Sequence, residues 1–158
     1  MDPSVALQDA TQHDVTVALP QAAAFRLFTE GLGRWWPQEY TWGQDACLDM
    51  AMEPRAGGAC SELGPHGFRS DWGRVLKWEP PRLLVLTWQI AADRTPQPDP
   101  MRASEVSVAF VPTGARTQVI LTHRHFSRHG EGGNAYREEM SSPMGWPLLL
   151  ARFAALGV

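Results

Sequence analysis

The C-terminal part of the chain has the hydrophobic pattern of an amphipathic helix. Four apolar residues recur at i, i+3, i+4 and i+7 and so share one face, namely Trp146, Leu149, Leu150 and Phe153. The other face carries Arg152 among alanines, which is typical of a helix that packs on one side only. The pattern predicts a long terminal helix over 134–156 that lies against a sheet. Pro143 is expected to end or kink it, and Gly145 and Pro147 to restart it.

Before that helix, the chain alternates apolar and polar residues with the period of half-buried strands. A first strand over 13–19 ends at Pro20, and two short helices follow it up to Pro37. In these helices, the adjacent Trp35 and Trp36 are expected to point in different directions. One would pack under the sheet and the other toward the loop that holds Tyr40 and Trp42.

Three hairpins are predicted after these helices. Their turns are expected at Gly57-Gly58, at Pro80-Pro81 and at 112–114, with a polar, proline-rich connection over 91–102. The hairpin strands place Leu48, Met50 and Met52 on one side, and Val119, Leu121, His123 and His125 on one side of a last strand over 117–126. The sequence therefore predicts an α+β fold, with a curved antiparallel sheet of about six or seven strands wrapped around the terminal helix.

Length and composition exclude several classes of protein. A chain of 158 residues fits one domain, which we place at 13–158 after a flexible segment over 1–12. The net charge of −3 and the scattered arginines disfavour nucleic-acid binding. No apolar run is long enough to span a membrane and no signal peptide is evident, so the protein is expected to be cytoplasmic. Cys47 and Cys60 are expected to be reduced.

The inward faces of the predicted strands are rich in tryptophan, methionine and phenylalanine. A space with such walls suits a small hydrophobic molecule, aromatic or lipid-like. The candidate ligand-binding residues are Trp36, Met50, Met52, Cys60, Glu62, Trp72, Arg74, Trp88, Phe110, Leu121, His123, Met140, Met144, Trp146 and Leu150.

Two of these inward residues, Glu62 and His123, are ionisable. Burial of an unpaired carboxylate is costly, so each needs a partner or a function. Structural pairing with each other, with Arg74 or with a buried water is one explanation. The other is that they orient a ligand, or act as an acid and base pair.

The sequence offers little support for metal, cofactor or nucleophile chemistry. His123, His125 and His129 cluster along the chain, but no cysteine or acidic cluster joins them and Arg124 and Arg128 add repulsive charge. There is no Gly-x-Ser-x-Gly elbow and no nucleotide-binding glycine loop. We therefore expect no metal, no cofactor and no established catalytic residue.

Five stretches of the sequence resemble a known family. They are FTEGLGRWWP from Phe28, MEPRAGG from Met52, WGRVLKWEPPRLLVLTW from Trp72, THRHFSRHGEG from Thr122 and GWPLLLARFAAL from Gly145. They are similar to bacterial single-domain proteins that resemble the activator of heat-shock protein 90 ATPase, within the START-like (SRPBCC) superfamily. The resemblance implies the helix-grip fold and a carrier or binder of apolar molecules. Where related chains carry a large aromatic, Ala59, Cys60 and Ser61 are expected to enlarge or reshape the pocket near Glu62.

Three functions remain open at this point. The first is a non-catalytic carrier or sensor of a small hydrophobic molecule. The second is a cyclase or hydrolase in the same cavity, with His123 and Glu62 moving protons. The third, a chaperone-interaction module, rests on the resemblance alone. The sequence leans away from an enzyme and does not distinguish a monomer from a homodimer.

Overall fold

A seven-stranded antiparallel sheet, curled into a half-barrel, frames the computed structural model, which describes residues 9–157. The strands are β1 (Ala10–Val17), β2 (Asp49–Met52), β3 (Ala59–Leu63), β4 (Arg69–Glu79), β5 (Leu83–Trp88), β6 (Ser104–Thr113) and β7 (Arg116–Arg124). Their order across the sheet is β1-β7-β6-β5-β4-β3-β2. Apart from the β1–β7 pair, every neighbour in the sheet is also a neighbour in sequence, as expected for hairpin-connected strands.

Within residues 9–157, four α-helices accompany the sheet. They are α1 (Gln21–Thr29), α2 (Leu32–Trp35), α3 (Gly133–Ser141) and α4 (Trp146–Leu156). The residues predicted to form the apolar face of α4 are all buried, which confirms that prediction: Trp146, Leu149, Leu150 and Phe153. Phe28 of α1 joins this helix to the sheet, since its ring centroid lies 5.3 Å from that of Phe153 and 5.7 Å from that of Phe110. The α+β class and the helix-grip arrangement are confirmed.

Two irregularities curl the sheet. The β3–β4 register shifts between Cys60 and Ser61, and the β4–β5 register shifts between Val75 and Lys77. Extra residues of this kind increase local strand twist. Gly73 lies between them, and a Cβ there would approach the carbonyl oxygen of Thr87 to 2.6 Å. The close approach of two backbones explains why glycine stands at this position.

Some sequence-based boundaries were wrong. β2 begins at Asp49, so Leu48 is not a strand residue and its side chain is 71% exposed. Cys47 also precedes β2, and both cysteines are free. β1 begins at Ala10, so residues 10–12 of the segment expected to be flexible are in a strand, whereas 1–8 lie outside the described residues. None of the helices within 9–157 is long and apolar enough to cross a membrane.

β7 ends at Arg124, which changes the position of His125. This residue has a φ of 67° and begins the turn that follows the strand. A left-handed residue breaks the alternation of side chains along a strand. The prediction that His123 and His125 share a strand face was therefore wrong.

The break between α3 and α4 depends on Gly145. A Cβ at this position would overlap the carbonyl oxygens of Met140 and Glu139. We expect Gly145→Ala to lower the free energy of unfolding by about 1–3 kcal/mol, because the helix end must shift to admit the methyl group. Urea denaturation would measure this. Gly132→Ala is the matched control, since its Cβ would meet only Ala92 at 3.8 Å. Equal effects of the two substitutions would contradict the overlap as the cause.

Candidate ligand-binding cavity

A cavity of about 540 Å³ lies between the sheet and the C-terminal helices. Strands β2 to β5 each contribute one side chain to its wall: Met50, Glu62, Trp72 and Trp88. Residues 36–44, residues 90–94 and the α3–α4 region supply the rest. Most of the wall is aromatic or aliphatic. Six aromatic residues take part, namely Trp36, Tyr40, Trp42, Trp72, Trp88 and Tyr136.

The mouth of the cavity is formed where three loop segments meet. Tyr40, Trp42 and Met144 line it and are 39%, 36% and 65% exposed. Trp42 Nε1 donates to the carbonyl oxygen of Arg94 at 2.7 Å, and Tyr40 Oη donates to that of Met144 at 2.8 Å. Arg94 also pairs with Glu139 at 3.0 Å between Nη2 and Oε2. These contacts hold the segments together around an opening with apolar edges.

Glu62 is the most buried carboxylate in the cavity wall, at 1% exposure. Its Oε1 accepts from the backbone N–H of Trp42, and its Oε2 accepts from that of Gly43, both at 2.8 Å. Both carboxylate oxygens therefore have a backbone donor, and no cation is needed to pair them. The expected pairing of Glu62 with Arg74 or His123 is not found. Its partners are backbone amides instead. The carboxylate holds the mouth loop against β3.

His123 is completely buried and does not line the cavity. Its Nδ1 accepts from Trp146 Nε1 at 3.0 Å, and its Nε2 lies 2.6 Å from Ser104 Oγ. Because the indole can only donate, Nδ1 carries no proton and the neutral ring is protonated on Nε2. Burial holds the pKa of His123 well below its ordinary value of 6.5, and the nearby His129 lowers it further. Both ring nitrogens are engaged, as in a satisfied core histidine.

The hydrogen bonds continue from His123 to the edge of the core. Ser104 Oγ accepts from His123 Nε2, so its own hydrogen is free to point at His129 Nε2, 2.8 Å away. His129 is only partly buried, and burial lowers its pKa. Ser104 itself is fully buried, so this serine and histidine pair is closed to substrates. The histidines are close together in the sequence, but no sequence pattern identifies Ser104 as their partner.

Seven of the fifteen candidate ligand-binding residues line the cavity: Trp36, Met50, Glu62, Trp72, Trp88, Met140 and Met144. Eight lie outside its lining: Met52, Cys60, Arg74, Phe110, Leu121, His123, Trp146 and Leu150. All of these eight except Arg74 are buried in the core. Arg74 is half exposed and donates to the carbonyl oxygen of Gly57.

The residues expected to enlarge the pocket, Ala59 to Ser61, also lie outside its lining. Ser61 Oγ donates to Asp71 Oδ1 at 2.7 Å instead. Several lining residues were missed, among them Tyr136, Arg94 and Glu139. Tyr136 precedes Met140 by one helical turn, and that spacing could have identified it.

No group of three or more histidine, cysteine, aspartate or glutamate side chains within 9–157 is arranged to hold a metal ion. His123 and His129 both lie near Ser104, but the Nε2 atom of each is hydrogen-bonded to the Ser104 hydroxyl group and is not free to bind a metal. His125 lies at the surface, where its Nε2 is 3.9 Å from Glu105 Oε2. The absence of a bound metal stays a prediction that elemental analysis would test.

The chain is similar to a known protein family. The sequence matches the family described as activator of Hsp90 ATPase homolog 1-like protein over residues 18–157. None of the curated proteins compared with the chain matches it.

Several solved structures are similar over nearly the whole chain. The anthrahydroquino-gamma-pyrone synthase Txn09 has a TM-score of 0.66 and 34% identity, covering 94% of this chain and 98% of that one. The self-sacrificing resistance protein CalC from Micromonospora echinospora has a TM-score of 0.69 and 28% identity, covering 94% of each chain. Protein NE0264 from Nitrosomonas europaea, with 19% identity, a TM-score of 0.65 and 94% of each chain covered, shares the fold.

Proposed function

This chain belongs to the family of activator of Hsp90 ATPase homolog 1-like proteins, and from that premise we propose that it binds a small, largely apolar, aromatic molecule in the cavity. The observation that carries the proposal is the aromatic wall. Trp36, Trp72 and Trp88 stand next to one another, with ring centroids 5.5–6.0 Å apart. Such a surface offers a large contact area to a flat ring system.

The size and polarity of the cavity agree with this ligand class. A volume of about 540 Å³ lies within the range of about 300–1,000 Å³ typical of small-molecule sites. Met50, Met140 and Met144 add flexible, polarisable side chains that adapt to irregular shapes. Desolvation of an apolar molecule is the main favourable term that these walls supply.

The polar groups of the cavity favour a binder over an enzyme. Both oxygens of Glu62 accept from backbone amides, and Glu139 and Glu39 pair with Arg94 and Arg152. Among the described residues, no histidine, cysteine or lysine lines the cavity. The acid and base pair considered for an enzyme, His123 and Glu62, does not face the cavity jointly.

The similar proteins leave room for a second candidate function. CalC is named a resistance protein and Txn09 a synthase, and Txn09 shares 34% identity with this chain. That identity favours, as the alternative, an enzyme of synthase or cyclase type that acts on a flat substrate held in the same cavity. Product formation by the purified protein, above the uncatalysed rate, would establish it.

The first test is binding of the dye 1-anilinonaphthalene-8-sulfonate. Energy transfer from tryptophan to the dye reports how much is bound. We expect saturable binding to the wild type. In Ser142→Trp, a large ring replaces a half-buried lining residue. We expect the affinity to fall about tenfold, because the new ring fills part of the cavity and displaces the dye from the apolar wall. Native mass spectrometry of protein from its own host should show a co-purifying small molecule.

Ser107→Trp is the matched control for this experiment. Ser107 is also half-buried, but it lies in β6 outside the cavity lining. Its substitution should leave the affinity for the dye unchanged. Absence of saturable binding, or equal losses in the two variants, would refute a ligand site in this cavity.

A further inference from the structure

Two tryptophans of the cavity wall have indole N–H groups without a partner. Across residues 9–157, only three buried side-chain nitrogens or oxygens lack a hydrogen bond, and Trp36 Nε1 and Trp72 Nε1 are two of them. Buried donors in folded proteins are nearly always paired, so two orphans in one cavity require an explanation.

The other tryptophans at the cavity differ in this respect. Trp88 Nε1 donates to Tyr136 Oη at 2.7 Å, and Trp42 Nε1 donates to the carbonyl oxygen of Arg94. Tyr136 Oη donates in turn to the carbonyl oxygen of Ile90 at 3.0 Å. Since both oxygens of Glu62 are also occupied, the wall has spare donors at Trp36 and Trp72 and no free carboxylate beside them.

The two orphan donors belong to neighbouring rings. The Trp36 and Trp72 rings are nearly parallel, with an interplanar angle of 28° and centroids 5.8 Å apart. Trp72 is held edge-on to Trp88 and is fully buried, whereas Trp36 is only partly buried and is followed by the loop from Pro37. Solvent reaches neither nitrogen. An acceptor can therefore reach them only after a side chain moves, and the Trp36 ring is the less constrained of the two.

From these observations we propose that the ligand is a planar conjugated molecule with ring carbonyl oxygens, such as a quinone or pyrone, and that Trp36 and Trp72 donate their indole N–H groups to it. The inference rests on the proposed function, because it specifies the ligand of the same cavity. Binding turns the Trp36 ring and satisfies both donors. A purely hydrocarbon ring of the same shape leaves both donors unpaired. The cavity therefore binds the carbonyl-bearing molecule more tightly than the hydrocarbon.

The test uses two probes with one skeleton, anthraquinone-2-sulfonate and anthracene-2-sulfonate. The sulfonate is common to both, so the ratio of their affinities reports the carbonyl groups. We expect the wild type to bind the quinone about tenfold more tightly. In ¹H–¹⁵N spectra, the indole N–H signals of Trp36 and Trp72, assigned from Trp36→Phe and Trp72→Phe, should move downfield with the quinone only.

Trp36→Phe keeps an aromatic ring but removes the donor, so it should reduce the preference for the quinone. Trp78→Phe is the matched control, because Trp78 packs edge-on against Phe25 outside the cavity and should leave the ratio unchanged. Equal affinity of the wild type for both probes would overturn the indole inference and leave the cavity proposal standing. A preference of unchanged size in Trp36→Phe would overturn it as well. So would wild-type indole signals of Trp36 and Trp72 that do not move when the quinone binds. Failure of both probes to bind would overturn the proposed function with it.

Discussion

Replacement of His123 by alanine is expected to lower the free energy of unfolding by about 3–5 kcal/mol. The ring is completely buried, and its centroid lies 4.1 Å from that of Phe126 and 5.4 Å from that of Trp88. Its removal leaves a void between these rings. It also leaves Trp146 Nε1 without an acceptor and Ser104 Oγ without a donor, so lost packing and unpaired polar atoms add together. Urea denaturation at pH 7.5 would measure the loss.

His13→Ala is the control for this substitution. His13 is only partly buried in β1 and its Nε2 contacts Thr11 Oγ1, so we expect a loss below about 1 kcal/mol. His123→Gln distinguishes a structural role of His123 from a role in a reaction. Because His123 does not line the cavity, the folded variant should keep its affinity for the dye. Turnover that disappears in His123→Gln while affinity persists would show instead that His123 acts in a reaction.

Acidification is expected to destabilise the protein from about pH 6.5 downward. Burial lowers the pKa of four histidines, His13, His123, His125 and His129. The unfolded chain therefore binds protons at a pH where the folded chain does not. The stabilising contribution of each histidine is complete above the ordinary pKa of 6.5 and is lost as the pH falls toward its lowered, folded-state value.

The buried His123 dominates this effect. While its ring stays neutral in the folded protein, it contributes a loss of about 1.4 kcal/mol per pH unit below pH 6.5. The other three are partly exposed and contribute less, because solvent screens them. Urea denaturation between pH 7.5 and 5 would show the decline, and most carboxyl groups titrate below that range. His123→Gln should have a shallower slope. A free energy of unfolding that is constant over this range would contradict the prediction.

The periodic elements were accessible from the sequence because burial on one side leaves a regular mark. Trp146, Leu149 and Leu150 recur at helical spacing, and the structure buries all three. Met50 and Met52 alternate with exposed or half-exposed neighbours in β2. Adjacent Trp35 and Trp36 were expected to diverge, and Trp35 is buried while Trp36 joins Tyr40 and Trp42 in the cavity wall.

Only seven of the nineteen residues that line the cavity were predicted, because much of the wall comes from segments without periodicity. Tyr40 and Trp42 lie in the loop after α2, and Arg94 lies in the connection between β5 and β6. Periodicity identifies which residues face inward, but inward residues such as Leu121 and Leu150 fill the core instead of lining the space. Which inward side chains leave room is a matter of packing in three dimensions.

By itself, the sequence determined the order of strands and helices and the apolar character of the interior, because local alternation and helical spacing record which faces are buried. The family resemblance supplied the expectation that these elements form the helix-grip fold. Only the tertiary structure decided the roles of the polar residues. Glu62 is bound by backbone amides that no side-chain pattern encodes, and His123 meets Ser104 and Trp146 from distant parts of the chain. The unpaired donors of Trp36 and Trp72 likewise became visible only with every neighbour in place, since hydrogen bonds depend on distances and angles that the order of residues does not specify.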